Sequence, residues 1–247
     1  MSDFLPPGTP VPTSLRLATW GSHDAAIALD LHMHTTHTDG KATIAEMADA
    51  AVAAGVAEIL FSEHVRHTST YFPEFAREVR ALQLPRLRAY LGAEAKVLDL
   101  EGVLDCPPSA AAICDALIGS VHSLPANPDG SPQKWSHLDA ATAVEREFAY
   151  AMAIVTKSRA HILGHPMGMC VTRLRVAPIE QIGQLARACR EHGKAFELNV
   201  RYCPQPTEWV AAVKQAGCLV SIGSDAHSTR EVGGAWAAFM KTNGGVE

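Results

Sequence analysis

Residues 28–66, ALDLHMHTTHTDGKATIAEMADAAVAAGVAEILFSEHVR, contain one complete strand, helix and second strand. The stretch at 29–34 reads as a strand that ends before the turn Asp39-Gly40. Thr43 followed by Glu46 is a capping-box signature, and Ile44, Met47, Ala51 and Val52 recur on a helical period until Gly55 stops them. Residues 56–61 then form an apolar, β-branched run that reads as the second strand. A strand, a helix and a further strand in about thirty residues is the βαβ unit of a parallel sheet.

The same alternation continues to the end of the chain. Phe72, Phe75, Val79 and Leu82 mark a helix before a strand near 90–95, and 108–115 predicts a short helix before a strand at 116–121. The longest helical stripe covers 137–157, through Leu138, Ala141, Val144, Phe148, Met152 and Val155, and leads into a strand at 161–164. Pro178 opens a helix carrying Ile179, Ile182, Leu185 and Cys189 that stops at Gly193. A strand at 195–199, a helix at 206–216 and a strand at 218–223 complete seven βα units. With no second composition regime, the pattern predicts an α/β fold, one closed parallel barrel, over 28–247. The Pro-rich residues 1–27 read as an extended arm lying on it.

A chain of 247 residues buries enough surface to need no metal or disulfide for its core, so any metal here is expected to be functional. The formal net charge of −5 provides no broad basic field, which disfavours a nucleic-acid partner. No apolar run approaches the length of a membrane span, and the first residues lack the charge pattern of a secretory signal. A soluble, cytoplasmic protein with no membrane partner is expected. Six cysteines without a CxxC pair read as free thiols.

The strand ends carry the chemistry. His32 and His34 are two apart on one strand and so project to one face about 6.5 Å apart, a spacing suited to two ligands of one ion. Asp225 and His227 repeat that relation after the last strand. Between them lie Ser62-Glu63-His64, Gly92-Ala93-Glu94, Val121-His122-Ser123 and Gly164-His165-Pro166, each after an apolar run. The sites of parallel barrels sit at the C-terminal rim, so these imidazoles and carboxylates form a ring there and imply bound metal.

In motif content and order the chain resembles the polymerase and histidinol phosphatase (PHP) family of metal-dependent phosphoesterases. The matching motifs are DLHMHTTHTDG (30–40), SEH (62–64), GAE (92–94), SVHS (120–123), GHP (164–166) and SDAH (224–227). The resemblance implies a distorted (β/α)7 barrel, in agreement with the seven units counted above. It also implies a site for two to three divalent transition-metal ions. His32, His34, Glu94 and Asp225 would hold one, Glu94 with His122 and His165 a second, and Asp39, His64 and His227 the third. Asp39 is an accepted variant at its position, and Glu63 stands where Asp is more usual, at a position that is not a ligand. The mixed donors suit Zn(II), Mn(II) or Fe(II) without choosing among them.

Such ions can lower the pKa of a bridging water and stabilise charge in an in-line displacement, so hydrolysis of a small phosphomonoester by a metal-bridging hydroxide is expected. Glu94, Asp225 and His227 are the candidate catalytic residues, with Asp225 or His227 able to protonate the leaving group. Arg201, Arg66 and Arg173 follow rim segments and are candidates to bind the substrate phosphate. Asp30 is in phase with His32, where it would either orient a ligand imidazole or serve as a polar barrel-layer residue, and Glu197 and Asn199 are placed to line the interior. His23, His37, His67, His137, His161 and His192 have no motif and are expected at caps or on the surface. A phosphodiesterase, an amidohydrolase acting on a C–N bond and a non-catalytic PHP module are the alternatives. The loop 124–136 is a candidate rim or lid.

Overall fold

A computed structural model of the protein describes residues 15, 17–20, 27–124 and 133–243. Most of the expected arm (1–14, 16 and 21–26) and the middle of the expected lid (125–132) lie outside the described residues.

The strands are β1 (Ala18–Thr19), β2 (Ala28–Met33), β3 (Val56–Val65), β4 (Arg88–Lys96), β5 (Ala116–Ser120), β6 (Ile162–Leu163), β7 (Ala195–Asn199) and β8 (Leu219–Gly223). They alternate with α1 (Ile44–Ala53), α2 (Phe72–Ala81), α3 (Pro108–Ile113), α4 (Ala140–Lys157), α5 (Ile179–Glu191) and α6 (Pro206–Ala216), and α7 (Gly234–Asn243) follows β8. The sheet runs β1-β8-β7-β6-β5-β4-β3-β2, with every neighbour from β2 to β8 parallel and β1 antiparallel on β8. This is the distorted (β/α)7 barrel, a single α/β domain.

Closure is local. β2 meets the chain after β8 through one bridge, Met33 to Ala226, where the His34 amide donates to the Ala226 carbonyl over 2.8 Å. Lower in the barrel β1 occupies the edge of β8, pairing Ala18 with Val220 and Thr19 with Leu219. Asp30 joins the two sides of this seam. Its Oδ1 accepts from the Ser224 amide (2.9 Å), and its Oδ2 accepts from the Ser224 hydroxyl (2.6 Å) and the Gly233 amide (2.8 Å).

The local devices follow the residue types. The Thr43 hydroxyl accepts from the Glu46 amide while Glu46 Oε2 accepts from the Thr43 amide, so the capping box forms. Ile44, Met47, Ala48 and Ala51 bury one face of α1, whereas Val52, expected on that face, is exposed because it falls a further 100° around the helix. α4 starts at Ala140 instead of 137, because Asp139 accepts from the Thr142 amide and caps it there; a 3-10 turn covers Trp135–His137. β6 is two residues long, and the chain beyond it forms a π-helix at Cys170–Leu174 that periodicity does not announce. Buried side chains divide into one cluster around β5–β8 and α4–α7 and another around α1, α2, β3 and β4. No helix among the described residues is long and apolar enough to cross a membrane.

Candidate metal centre

The rim gathers all nine ring residues. β2 supplies His32, with His34 just beyond its end; β3 and β4 supply His64 and Glu94; His122 and His165 follow β5 and β6; Asp225 and His227 follow β8. Asp39 comes from the turn after β2, which Gly40 lets fold back: a Cβ at Gly40 would lie 2.5 Å from the His34 carbonyl oxygen.

Glu94 is the hub. Its Oε1 lies 2.9 Å from His165 Nε2 and 3.1 Å from His122 Nε2, and the Ser120 hydroxyl donates to it over 2.6 Å. Its Oε2 lies 2.8 Å from His64 Nδ1 and 3.5 Å from both His32 Nε2 and His34 Nε2. One carboxylate thus faces two groups of imidazoles, one through each oxygen. Asp225 Oδ1 approaches His34 Nε2 (3.1 Å) and His32 Nε2 (3.6 Å), while its Oδ2 accepts from Arg201 Nη1 (3.1 Å) and the Tyr202 hydroxyl (3.0 Å). Asp39 reaches His64 Nε2 (3.5 Å) and His227 Nε2 (3.4 Å) from a more open position, with its side chain 56% exposed.

Three sets of donor atoms are close enough for each set to share an ion: His32, His34 and Glu94; His64, Glu94 and His122; His34, Asp39, His64 and His227. The grouping differs from the motif-based one in detail. His64 faces Glu94 as well as Asp39, and His34 lies within reach of the Asp39 group.

The donors fit divalent cations on two grounds. His32 Nε2, both ring nitrogens of His34, Glu94 Oε2 and His165 Nδ1 are buried without a hydrogen-bond partner, an arrangement too costly for an ordinary core. The protonation tendencies point the same way. Burial works against charge throughout, yet His122, His32 and His64 hold the Glu94 carboxyl well below its usual range. Against burial, Glu197 and Glu94 push His32 well above an ordinary imidazole, and Glu94 and Asp39 raise His64 to about 9. Burial lowers His34 to about 4. The cavity therefore pulls in positive charge, and a divalent cation supplies it while leaving the imidazoles neutral to ligate.

Of the three arginines, Arg201 stands at the centre, with Nη1 3.3 Å from His227 Nδ1 and Nη2 3.1 Å from Glu231 Oε1. Arg66 and Arg173 are exposed and form no ion pair with a carboxylate of the ring among the described residues. Asp30 hydrogen-bonds to Ser224 and Gly233 and to no imidazole, which favours its role in the barrel layer; burial raises its carboxyl to about 6. Glu63, buried behind the ring, accepts from the Thr35 amide (2.6 Å), the Thr35 hydroxyl (2.5 Å) and the Thr38 hydroxyl, and so holds the turn leading to Asp39. Sequence reasoning passed over Tyr202, Ser120 and the anchoring role of Glu63. An aromatic beside Arg201 and a serine ending a strand were the available signals, and both are common without a function.

A PHP domain model matches residues 30–201. The chain belongs to the PHP domain family. It is 28% identical over 210 residues to the DNA polymerase/3'-5' exonuclease PolX of Bacillus subtilis, covering 81% of this chain and about a third (34%) of that longer protein. It is 27% identical over 225 residues to a "Probable phosphatase" of Edwardsiella ictaluri, covering 83% of this chain and 81% of the relative. In fold it is similar to a histidinol phosphate phosphatase from Lactococcus lactis, solved with zinc, L-histidinol and phosphate. The TM-score is 0.68 at 19% identity, over 87% of this chain and 93% of that one.

Proposed function

We propose that this PHP domain hydrolyses a small phosphomonoester at a site for three divalent transition-metal ions, Zn, Mn or Fe. The observation that carries the reading is the split environment of Glu94, one oxygen toward His122 and His165 and the other toward His32, His34 and His64. In this reading His32, His34, Glu94 and Asp225 hold one ion, Glu94, His122 and His165 a second, and Asp39, His64 and His227 the third. When bound, the ions supply Lewis acidity, activating water for attack and neutralising phosphoryl charge.

The protein's own groups do the rest. Arg201 meets a phosphate oxygen from the open side, its guanidinium held beside the ring by Asp225 and Glu231. His227 Nδ1, 2.8 Å from the Asp225 carbonyl oxygen, donates its proton there, which leaves Nε2 bare toward Asp39 and lets Asp225 set the ring's position. We place the reaction in the cytoplasm, a reading supported by six cysteines that are all free thiols.

A second reading, diester cleavage, is favoured by the relation to a 3'-5' exonuclease. One assay separates them. Protein reconstituted with Mn(II) or Zn(II) is tested on phosphomonoesters, phosphodiesters and N-acyl substrates. A monoester advantage of about tenfold or more, one lost charge contact's worth, is expected. Preference for diesters, or for C–N bonds, rejects the monoester reading.

A further inference from the structure

Glu197 lies on β7 with no solvent exposure, and it belongs to none of the three donor sets. Its Oε1 is 2.7 Å from His32 Nδ1 and also accepts from Asn199 Nδ2 over 3.2 Å. Its Oε2 accepts from the His165 amide over 2.5 Å. One side chain therefore touches two ring residues from behind, one through its imidazole and the other through its backbone.

We infer that Glu197 is a positioning residue that fixes which nitrogen of His32 faces the metal centre and holds His165 in the backbone conformation that turns it toward Glu94. The inference rests on the metal-centre reading above. Both oxygens of Glu197 already act as acceptors, Oε1 from Asn199 and Oε2 from the His165 amide, so Oε1 also accepts from His32 and the proton of the neutral imidazole sits on Nδ1. Nε2 is left bare, and it is this nitrogen that is buried without a partner, 3.5 Å from Glu94 Oε2 and 3.6 Å from Asp225 Oδ1. A second carboxylate behind a ligand imidazole sets its tautomer and its ring orientation.

His165 needs help of a different kind. Its φ is +26°, a region that L side chains rarely adopt, and Met167 follows at +60°. The hydrogen bond from its amide to Glu197 offsets that strain at the point where Nε2 must come within 2.9 Å of Glu94 Oε1. Two residues further along the strained segment, Glu147 accepts from the Met169 and Cys170 amides over 2.9 and 2.7 Å.

The fold makes room for this contact. A Cβ at Gly223, on the neighbouring β8, would lie 2.3 Å from Glu197 Oε1 and 2.6 Å from His32 Cβ. A glycine with ordinary backbone angles is needed there because Glu197 crosses over it to reach His32.

The test uses the whole chain with zinc as the probe. Glu197→Gln keeps the shape but turns an amide N–H toward either His32 Nδ1–H or the His165 amide. Competition against a chromophoric chelator is expected to show zinc bound about 10–100-fold more weakly at one site, with unchanged far-UV circular dichroism. Long-range 15N–1H spectra of the zinc-loaded wild type are expected to show His32 protonated on Nδ1, and this reading holds whether or not the variant folds. A wild-type His32 protonated on Nε2, or a folded variant with wild-type zinc affinity, overturns the inference alone. A wild type that takes up no zinc overturns the metal-centre reading and this inference with it.

Discussion

β6 is flanked by two histidines, four residues apart, and the two are buried in opposite ways. His161, before the strand, is 8% exposed, and its Nδ1 accepts a hydrogen bond from the Leu117 amide over 3.0 Å. Burial and the nearby Lys194 ammonium push its pKa down to about 4, so it is a neutral acceptor. Lys194 itself spends its donors on the carbonyls of Ser158 and Ala160, and burial lowers it to about 8. His165, beyond the strand, points Nε2 at Glu94, leaves Nδ1 without a partner and is raised, against burial, by that carboxylate. A buried imidazole that accepts from a backbone amide belongs to the core; one aimed at a carboxylate among other imidazoles is waiting for a cation.

The contrast breaks most violently at Glu94. Glu94→Gln removes the one charge that both imidazole groups share, and the variant is expected to lose at least two ions by elemental analysis and at least about a thousandfold in kcat, on the scale of removing a central electrostatic group. Wild-type metal content and turnover in that variant would place the bridge elsewhere. Arg201→Ala comes next. It deletes a charge-assisted phosphate contact of roughly 1.5–4 kcal/mol, so kcat/KM for a monoester is expected to fall by about one to three orders of magnitude. The Tyr202 hydroxyl still holds Asp225 Oδ2, so metal content should stay. Kinetics unchanged from wild type would free Arg201 from the substrate pocket.

Most of these rim residues were readable in the sequence because the candidate ligands lie at or just beyond the ends of strands, and a parallel barrel turns strand ends into neighbours whatever their separation along the chain. The pairing of Asp30 with Ser224, 194 residues away, was not readable, since only closure of the seam creates it. Glu197 was legible as an interior residue by its alternation with Phe196 and Leu198, but not as the acceptor of His32. The π-helix after His165 escaped because it has no hydrophobic period long enough to register, whereas the strand expected at 161–164 forms, shortened to Ile162–Leu163. Arg66 and Arg173 are exposed, and neither pairs with a carboxylate of the ring among the described residues, so their part in binding substrate rests on sequence position alone.

Within the ring, exposure divides the candidate ligands again. Glu94 and His165 are buried, but Asp39 is open to water and its carboxyl is held below its usual range, against burial, by His64, His227 and His34. Asp39→Asn is therefore expected to weaken one ion by at least about tenfold while two remain bound through dialysis against a weak chelator. Simultaneous loss of all ions would show that the outer donors are not separable from the inner ones.

The smallest effect is expected at His161, and it would show on stability and not on turnover. A folded pKa of about 4 against an ordinary 6.5 means that the folded state resists the proton. The contribution is complete above pH 6.5, is lost progressively as pH falls from 6.5 to about 4, and levels below that; its full size is ~3 kcal/mol. His161→Asn keeps an oxygen able to accept from the Leu117 amide and cannot titrate. Whatever packing the substitution costs is the same at every pH, so the quantity to follow is the gap in denaturation midpoint between wild type and variant. Wild type should lose stability relative to His161→Asn by about 1–2 kcal/mol between pH 7.5 and pH 5, while kcat at pH 7.5 is unchanged. A gap that stays constant over that interval would mean His161 is not held neutral, and a fall in kcat with metal content at pH 7.5 would mean that the two ends of β6 are not as different as their hydrogen bonds make them.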